Sequence, residues 1–132
     1  MDNKNLKNYW LRVAVIIIGG VFIFYFSFDL PGAATQASMM IYFENNETRK
    51  FEGPVEPGMT ILEALNSSSL GGAFEVRYFL DRGGKVNLFS INNLANGTGK
   101  NWQFYLNDRS VNISEINSIK IKKGDSIEAR YE

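Results

Sequence analysis

The sequence predicts an α+β domain: a β-hairpin, one helix, then further strands of a mixed sheet, carried behind an N-terminal apolar segment. Three observations lead there. Residues 102–107 and 119–131 alternate apolar and polar side chains around Lys123-Gly124-Asp125. One short segment, opening at Thr60, has helical spacing and a capping pattern. Residues 13–28 are apolar and carry no charge. Alternating strands have one face to bury, and a single helix over that face gives the α+β class.

The apolar segment comes first in the chain. Residues 10–30 carry charges only near the ends, at Arg12 and Asp29. About 20 helical residues at about 1.5 Å each span a bilayer core of about 30 Å, so residues 1–30 read as a cytoplasmic stub and transmembrane helix. Lys4, Lys7 and Arg12 lie at its start, beside Tyr9 and Trp10. The positive-inside rule then keeps the N-terminus cytoplasmic and places residues 38–132 outside the cell membrane, single-pass. A cleaved signal peptide is the alternative, with a basic start, an apolar core, a Pro31-Gly32 break and small residues at 33–37. It would make the domain secreted. Residues 31–38 read as a linker, and 39–132 as the extracytoplasmic domain.

Residues 39–43 and 48–55 read as two strands around a polar turn at 44–47. Pro57-Gly58 stops the second. Thr60 with Glu63 three residues later makes a capping-box pattern, and Ile61, Leu62 and Leu65, with Ala64, give the helix an apolar face. The helix is expected to end between Asn66 and Gly72. Extended segments follow at 74–80 and 85–91, then a Gly/Asn-rich loop at 92–101. Residues 102–106 form the next strand. Residues 114–117 read as a turn or helical kink, and 119–131 as two strands enclosing the Lys123-Gly124-Asp125 turn. A helix after the first hairpin, followed by further strands, suits the β-grasp fold.

Composition narrows function by exclusion. The chain of 132 residues has no Cys and no His, which removes disulfides, thiolate sites and the commonest general base and metal ligand. Residues 38–132 carry 11 basic and 12 acidic side chains, a balance with no electrostatic reason to hold nucleic acid. Ser67-Ser-Ser69 has no His partner, and no phosphate loop or dinucleotide fingerprint occurs. Asp81, Asp108 and Asp125 stand apart in probable turns, unlike the close oxygen set a Ca²⁺ site needs. The domain therefore reads as a binding module and not an enzyme, with no catalytic or metal residues assigned. Sequons at Asn46, Asn66, Asn96 and Asn112 suit an external surface.

Several pieces resemble one family in order. Met59-Thr-Ile-Leu-Glu-Ala-Leu65, Ser90-Ile-Asn-Asn-Leu-Ala-Asn-Gly-Thr-Gly, Trp102-Gln-Phe-Tyr-Leu-Asn107 and Lys123-Gly-Asp-Ser-Ile-Glu128 are similar to the transcobalamin C-terminal-like β-grasp domains. These domains also occur as modules on microbial cell-surface proteins. The resemblance covers about residues 39–132. It implies a module that contributes one wall of a small-ligand site, with cobalamin as the family's ligand. In the family that ligand lies between this domain and a large helical one. No helical domain is expected in this chain, so an enclosed cobalamin site is not expected within it, and a separate helical or surface protein is the implied partner.

The ligand-binding candidates are Asn93, Asn96, Trp102, Tyr105 and Asn107. Asn amides offer donors and acceptors, and aromatic rings beside them can stack a flat ligand. The competing reading gives Trp102 to the core, Tyr105 to the other face and the Asn residues to turn dihedrals. Two functions stay open: a module for a cobalamin-like or glycan-like ligand, and a structural or partner-docking module of a cell-surface assembly.

Overall fold

The computed structural model describes residues 36–97 and 99–132. Among these, one α-helix and a majority of strands make a mixed α+β arrangement. In order they are β1 (Gln36–Tyr42), β2 (Thr48–Pro54), α1 (Ile61–Gly72), β3 (Val76–Leu80), β4 (Val86–Ile91), β5 (Leu94–Ala95), β6 (Trp102–Leu106), β7 (Arg109–Val111) and β8 (Ser126–Tyr131). The expected anchor, residues 1–30, lies outside the described residues. Among those described, no helix is long and apolar enough to cross a membrane.

The larger sheet has the order β2-β1-β8-β6-β7. Its central pair joins the first and last strands in parallel, from Ser38↔Ser126 to Tyr42↔Arg130. The other pairs are antiparallel. Alternation sends Met39 and Ile41, Trp102 and Phe104, and Ile127 and Ala129 to one buried face. Ile61, Leu62 and Leu65 of α1 join them in the core. A smaller sheet, β3-β4-β5, adds Val86, Leu88 and Ile91 to the same core. The core closes within residues 37–131, which makes this a self-contained folding unit.

Helix α1 starts where the sequence places it. The Thr60 hydroxyl accepts the Glu63 amide at 3.3 Å, and the Thr60 amide donates to the Glu63 carboxylate at 2.7 Å. Each bond satisfies an amide that the first helical turn leaves unpaired. The helix ends at Ala73, whose left-handed backbone (φ 50°) returns its N–H to the Ser69 carbonyl. Gly72 is required there: a Cβ would lie 2.6 Å from the Phe51 ring and 2.8 Å from the Phe74 ring.

Four details differ from the sequence reading. β1 begins at Gln36, inside the expected linker, because residues 36–38 pair with Pro54, Gly53 and Glu52 of β2. Residues 119–121 do not form a strand against β8, since both edges of β8 are taken by β1 and β6. They support the helix start instead: the Ile61 amide donates to the Ile119 carbonyl at 3.1 Å, and the Ile121 amide to the Met59 carbonyl at 2.9 Å. Residues 109–111, unassigned in sequence, form β7 across a two-residue turn whose Asn107 and Asp108 have φ of 50° and 63°. The 92–101 loop contains β5, reached by a similar turn at Asn92 and Asn93, with φ of 48° and 65°. Positive φ at both central positions is what a tight two-residue hairpin requires, and Asn and Asp tolerate it.

Candidate functional site

Of the five residues singled out in sequence, Asn96 and Trp102 come together, while Asn93, Tyr105 and Asn107 lie apart from them. Trp102 is 1% exposed, its ring packs 5.2 Å from Tyr131 and 5.8 Å from Phe43, and its indole N–H donates to the Leu94 carbonyl at 2.9 Å. Tyr105 lies three residues along β6 and so projects from the opposite face. The two rings cannot stack one ligand. Asn96 holds the loop: its side-chain oxygen accepts the Trp102 amide at 2.7 Å and its NH2 donates to the Leu88 carbonyl at 2.8 Å. Asn107 ties two turns together, accepting from the Ser126 amide and donating to the Asp125 carboxylate, both at 2.9 Å. Asn93 is exposed and sets the β4–β5 turn.

The acids have similar duties. Asp81 accepts from the Gly83 and Lys85 amides at 2.8 and 2.9 Å, and the buried Asp125 accepts from the Lys122 amide at 2.8 Å. No group of three metal-ligating side chains converges among the described residues. The outer face of β6 and β8 carries a small polar network. Glu132 accepts from the Tyr105 hydroxyl at 2.8 Å, and the Arg130 guanidinium bonds Glu128 while lying 4.6 Å from the Tyr105 ring centre. The hydrogen bond to Glu132 raises the Tyr105 phenol above its ordinary value, and the bond to Glu128 raises Arg130.

The concave feature lies elsewhere. A groove of about 410 Å³ runs between α1 and the β1–β2 edge of the larger sheet. Ala64, Ser67, Ser68 and Gly71 form its helix wall. Their spacing of three, four and seven residues puts them on one helix stripe. Met39, Phe51 and Met59 supply apolar surface opposite. An added Cβ at Gly71 or Gly53 would meet nothing within 4 Å, so the groove is open at both walls. On the other face of β2 from Phe51, Lys50 and Glu52 pair at 2.6 Å, charges that discourage another strand from joining this edge. A second depression of about 550 Å³ includes Asn96, Trp102 and Gln103, but it is polar and more open, and the polar groups of Asn96 and Trp102 already have partners.

No family model and no curated protein matches the sequence. Solved structures share its fold. A protein from Ruminococcus gnavus ATCC 29149, named for a suspected metal-binding role, is 15% identical with a TM-score of 0.58; the match covers 74% of this chain and 96% of that one. Haptocorrin in complex with Cbi is 12% identical with a TM-score of 0.56, over 74% of this chain and 24% of haptocorrin. Identities this low show likeness of fold alone. The chain thus corresponds to about a quarter of haptocorrin's length.

Sequence reasoning passed over the groove because its signal is subtractive. The motif Ala64-x-x-Ser67-Ser68-x-x-Gly71 reads as a weak helix end. Its meaning is a stripe without volume, placed beside a Met-rich floor. Met is the apolar side chain that adapts most readily to different occupants.

Proposed function

We propose that this chain is a non-catalytic, membrane-anchored β-grasp module outside the cytoplasm, and that its α1–β2 groove supplies one wall of a binding site for a small cobalamin-like ligand. The observation that carries the reading is the groove itself. Its volume falls in the range of about 300–1,000 Å³ typical of ligand sites, yet it is open along its length. An open groove cannot surround a ligand as such sites do, so a second surface must cover it. The fold likeness to haptocorrin, over only 24% of that protein, supports the same division of labour, with a corrinoid as the ligand to try first. The anchor rests on the charge and hydropathy of residues 1–30.

The test is a calorimetric titration of residues 36–132 with cobalamin. One wall alone should bind weakly, with a Kd of about 0.1–1 mM. Gly71→Leu, which fills the helix wall from a position that is open and helical, should abolish binding while preserving the thermal transition. Heats that stay flat to millimolar cobalamin, or that are equal in wild type and variant, would count against the groove as a corrinoid site.

A further inference from the structure

The smaller sheet turns an apolar pair away from the core. Phe79 on β3 is 48% exposed and Phe89 on β4 is 56% exposed, with ring centres 5.6 Å apart. Their neighbours Tyr78 and Leu88 face inward and serve the core. Leu80, 45% exposed, alternates onto the other side of the strand with Tyr78, opposite Val86, and is not part of this pair. The two rings pack on each other across the strands, yet about half of each stays in solvent, an exposed aromatic pair that a partner could cover.

The charge around them leans positive. Residues 75–89 carry Arg77, Arg82 and Lys85 against Glu75 and Asp81, a surplus of one positive charge. The rest of residues 38–132 carries eight basic and ten acidic side chains, a surplus of two negative. Arg82 and Lys85 are exposed, and the acid in the turn, Asp81, has an oxygen occupied by two backbone amides. Arg77 faces Glu75 at 3.6 Å, leaving Arg82 and Lys85 as the cations nearest the turn.

We infer that the β3–β4 hairpin is a membrane-surface contact, with Phe79 and Phe89 entering the headgroup layer and Arg82 and Lys85 pairing with anionic lipid phosphates. Aromatic rings favour the interface on either side of a membrane, and basic side chains are drawn to it where the facing lipid is anionic. The inference rests on the anchor reading in one respect. A span ending at Leu30 leaves only residues 31–35 before β1, so the domain is tethered within roughly 20 Å of the bilayer. Even a weak contact would then be occupied, because the tether supplies a high local concentration.

Co-sedimentation of residues 36–132 with vesicles tests it independently of the anchor. Binding is expected to vesicles containing phosphatidylglycerol, to weaken in high salt, and to be far weaker for pure phosphatidylcholine. Phe79→Ser with Phe89→Ser should reduce binding about tenfold or more, and Arg82→Gln with Lys85→Gln should remove the salt dependence. Both pairs are exposed, so circular dichroism should be unchanged. Absence of binding to either vesicle, binding indifferent to the phenylalanines, or a dimer in solution that dissolves with Phe79→Ser would each overturn the inference. Failure of the anchor reads out separately, as full-length chain released from membranes by alkaline carbonate.

Discussion

At Trp102 the indole is 1% exposed and its N–H is bonded, whereas at Gly71 an added Cβ would meet no atom within 4 Å. The first position belongs to the closing half of the larger sheet, the second to the groove beside α1. The closing half is rich in the residue types that binding sites favour: Trp, Tyr and Asn. There the fold uses most of them: Trp102 and Asn96 bond backbone groups, Asn107 bonds a neighbouring turn, and Tyr105 bonds Glu132. The groove is lined by residues that attract no notice, because Ala, Ser and Gly leave space instead of filling it. The contrast teaches that chemically rich side chains and available surface are separate properties. In this molecule the groove opens beside β1 and β2, while Trp102 and Tyr105 sit on β6, two strands away from β1.

The largest effect that would break this contrast is expected at Trp102. Trp102→Ala removes a fully buried ring and an internal hydrogen bond, and should destabilise the domain by about 3–5 kcal/mol in urea unfolding. A loss below about 1 kcal/mol would mean that the ring is available for other work.

The two adjacent glycines give the next test. Gly72→Ala drives a methyl group against the Phe51 and Phe74 rings and should cost about 1–2 kcal/mol. Gly71→Ala enters open space in a helix and should gain about 0.5–1 kcal/mol. Equal effects from the two would place the groove wall elsewhere.

The smallest effect concerns the outer polar network. Tyr105 holds its proton above the ordinary tyrosine value because its hydroxyl donates to Glu132. A raised folded value means that this contribution is fully present below the unfolded phenol's range and is lost as pH rises through the folded one. In a phenolate absorbance titration, the component missing from Tyr105→Phe should appear late, and Glu132→Gln should bring it back toward the ordinary value.

Much of the fold was legible locally. Thr60 and Glu63 mark the helix start through contacts three residues apart, and alternation in residues 102–106 separates Trp102 from Tyr105 by face. What was missed depends on distant partners. Residues 119–121 alternate as a strand would, yet β8 has no free edge for them once β1 and β6 flank it. β7 is three residues long, too short for a period, although the Asn107-Asp108 turn before it is a hairpin signal. The groove was illegible for another reason. Its floor and helix wall come from segments far apart in sequence, and nothing within α1 indicates that β2 leaves room beside Gly71.

The central claim, that the groove and not the closing half meets the ligand, is tested most directly by chemical-shift mapping. Isotope-labelled residues 36–132 would be titrated with cobalamin while the Gly53 and Gly71 amides, the Met39 and Met59 methyls and the Trp102 indole N–H are followed. Shifts are expected at the glycines and methionines, with the indole signal unmoved. Shifts centred on Trp102, Asn96 and Asn107, with the groove signals still, would contradict that claim.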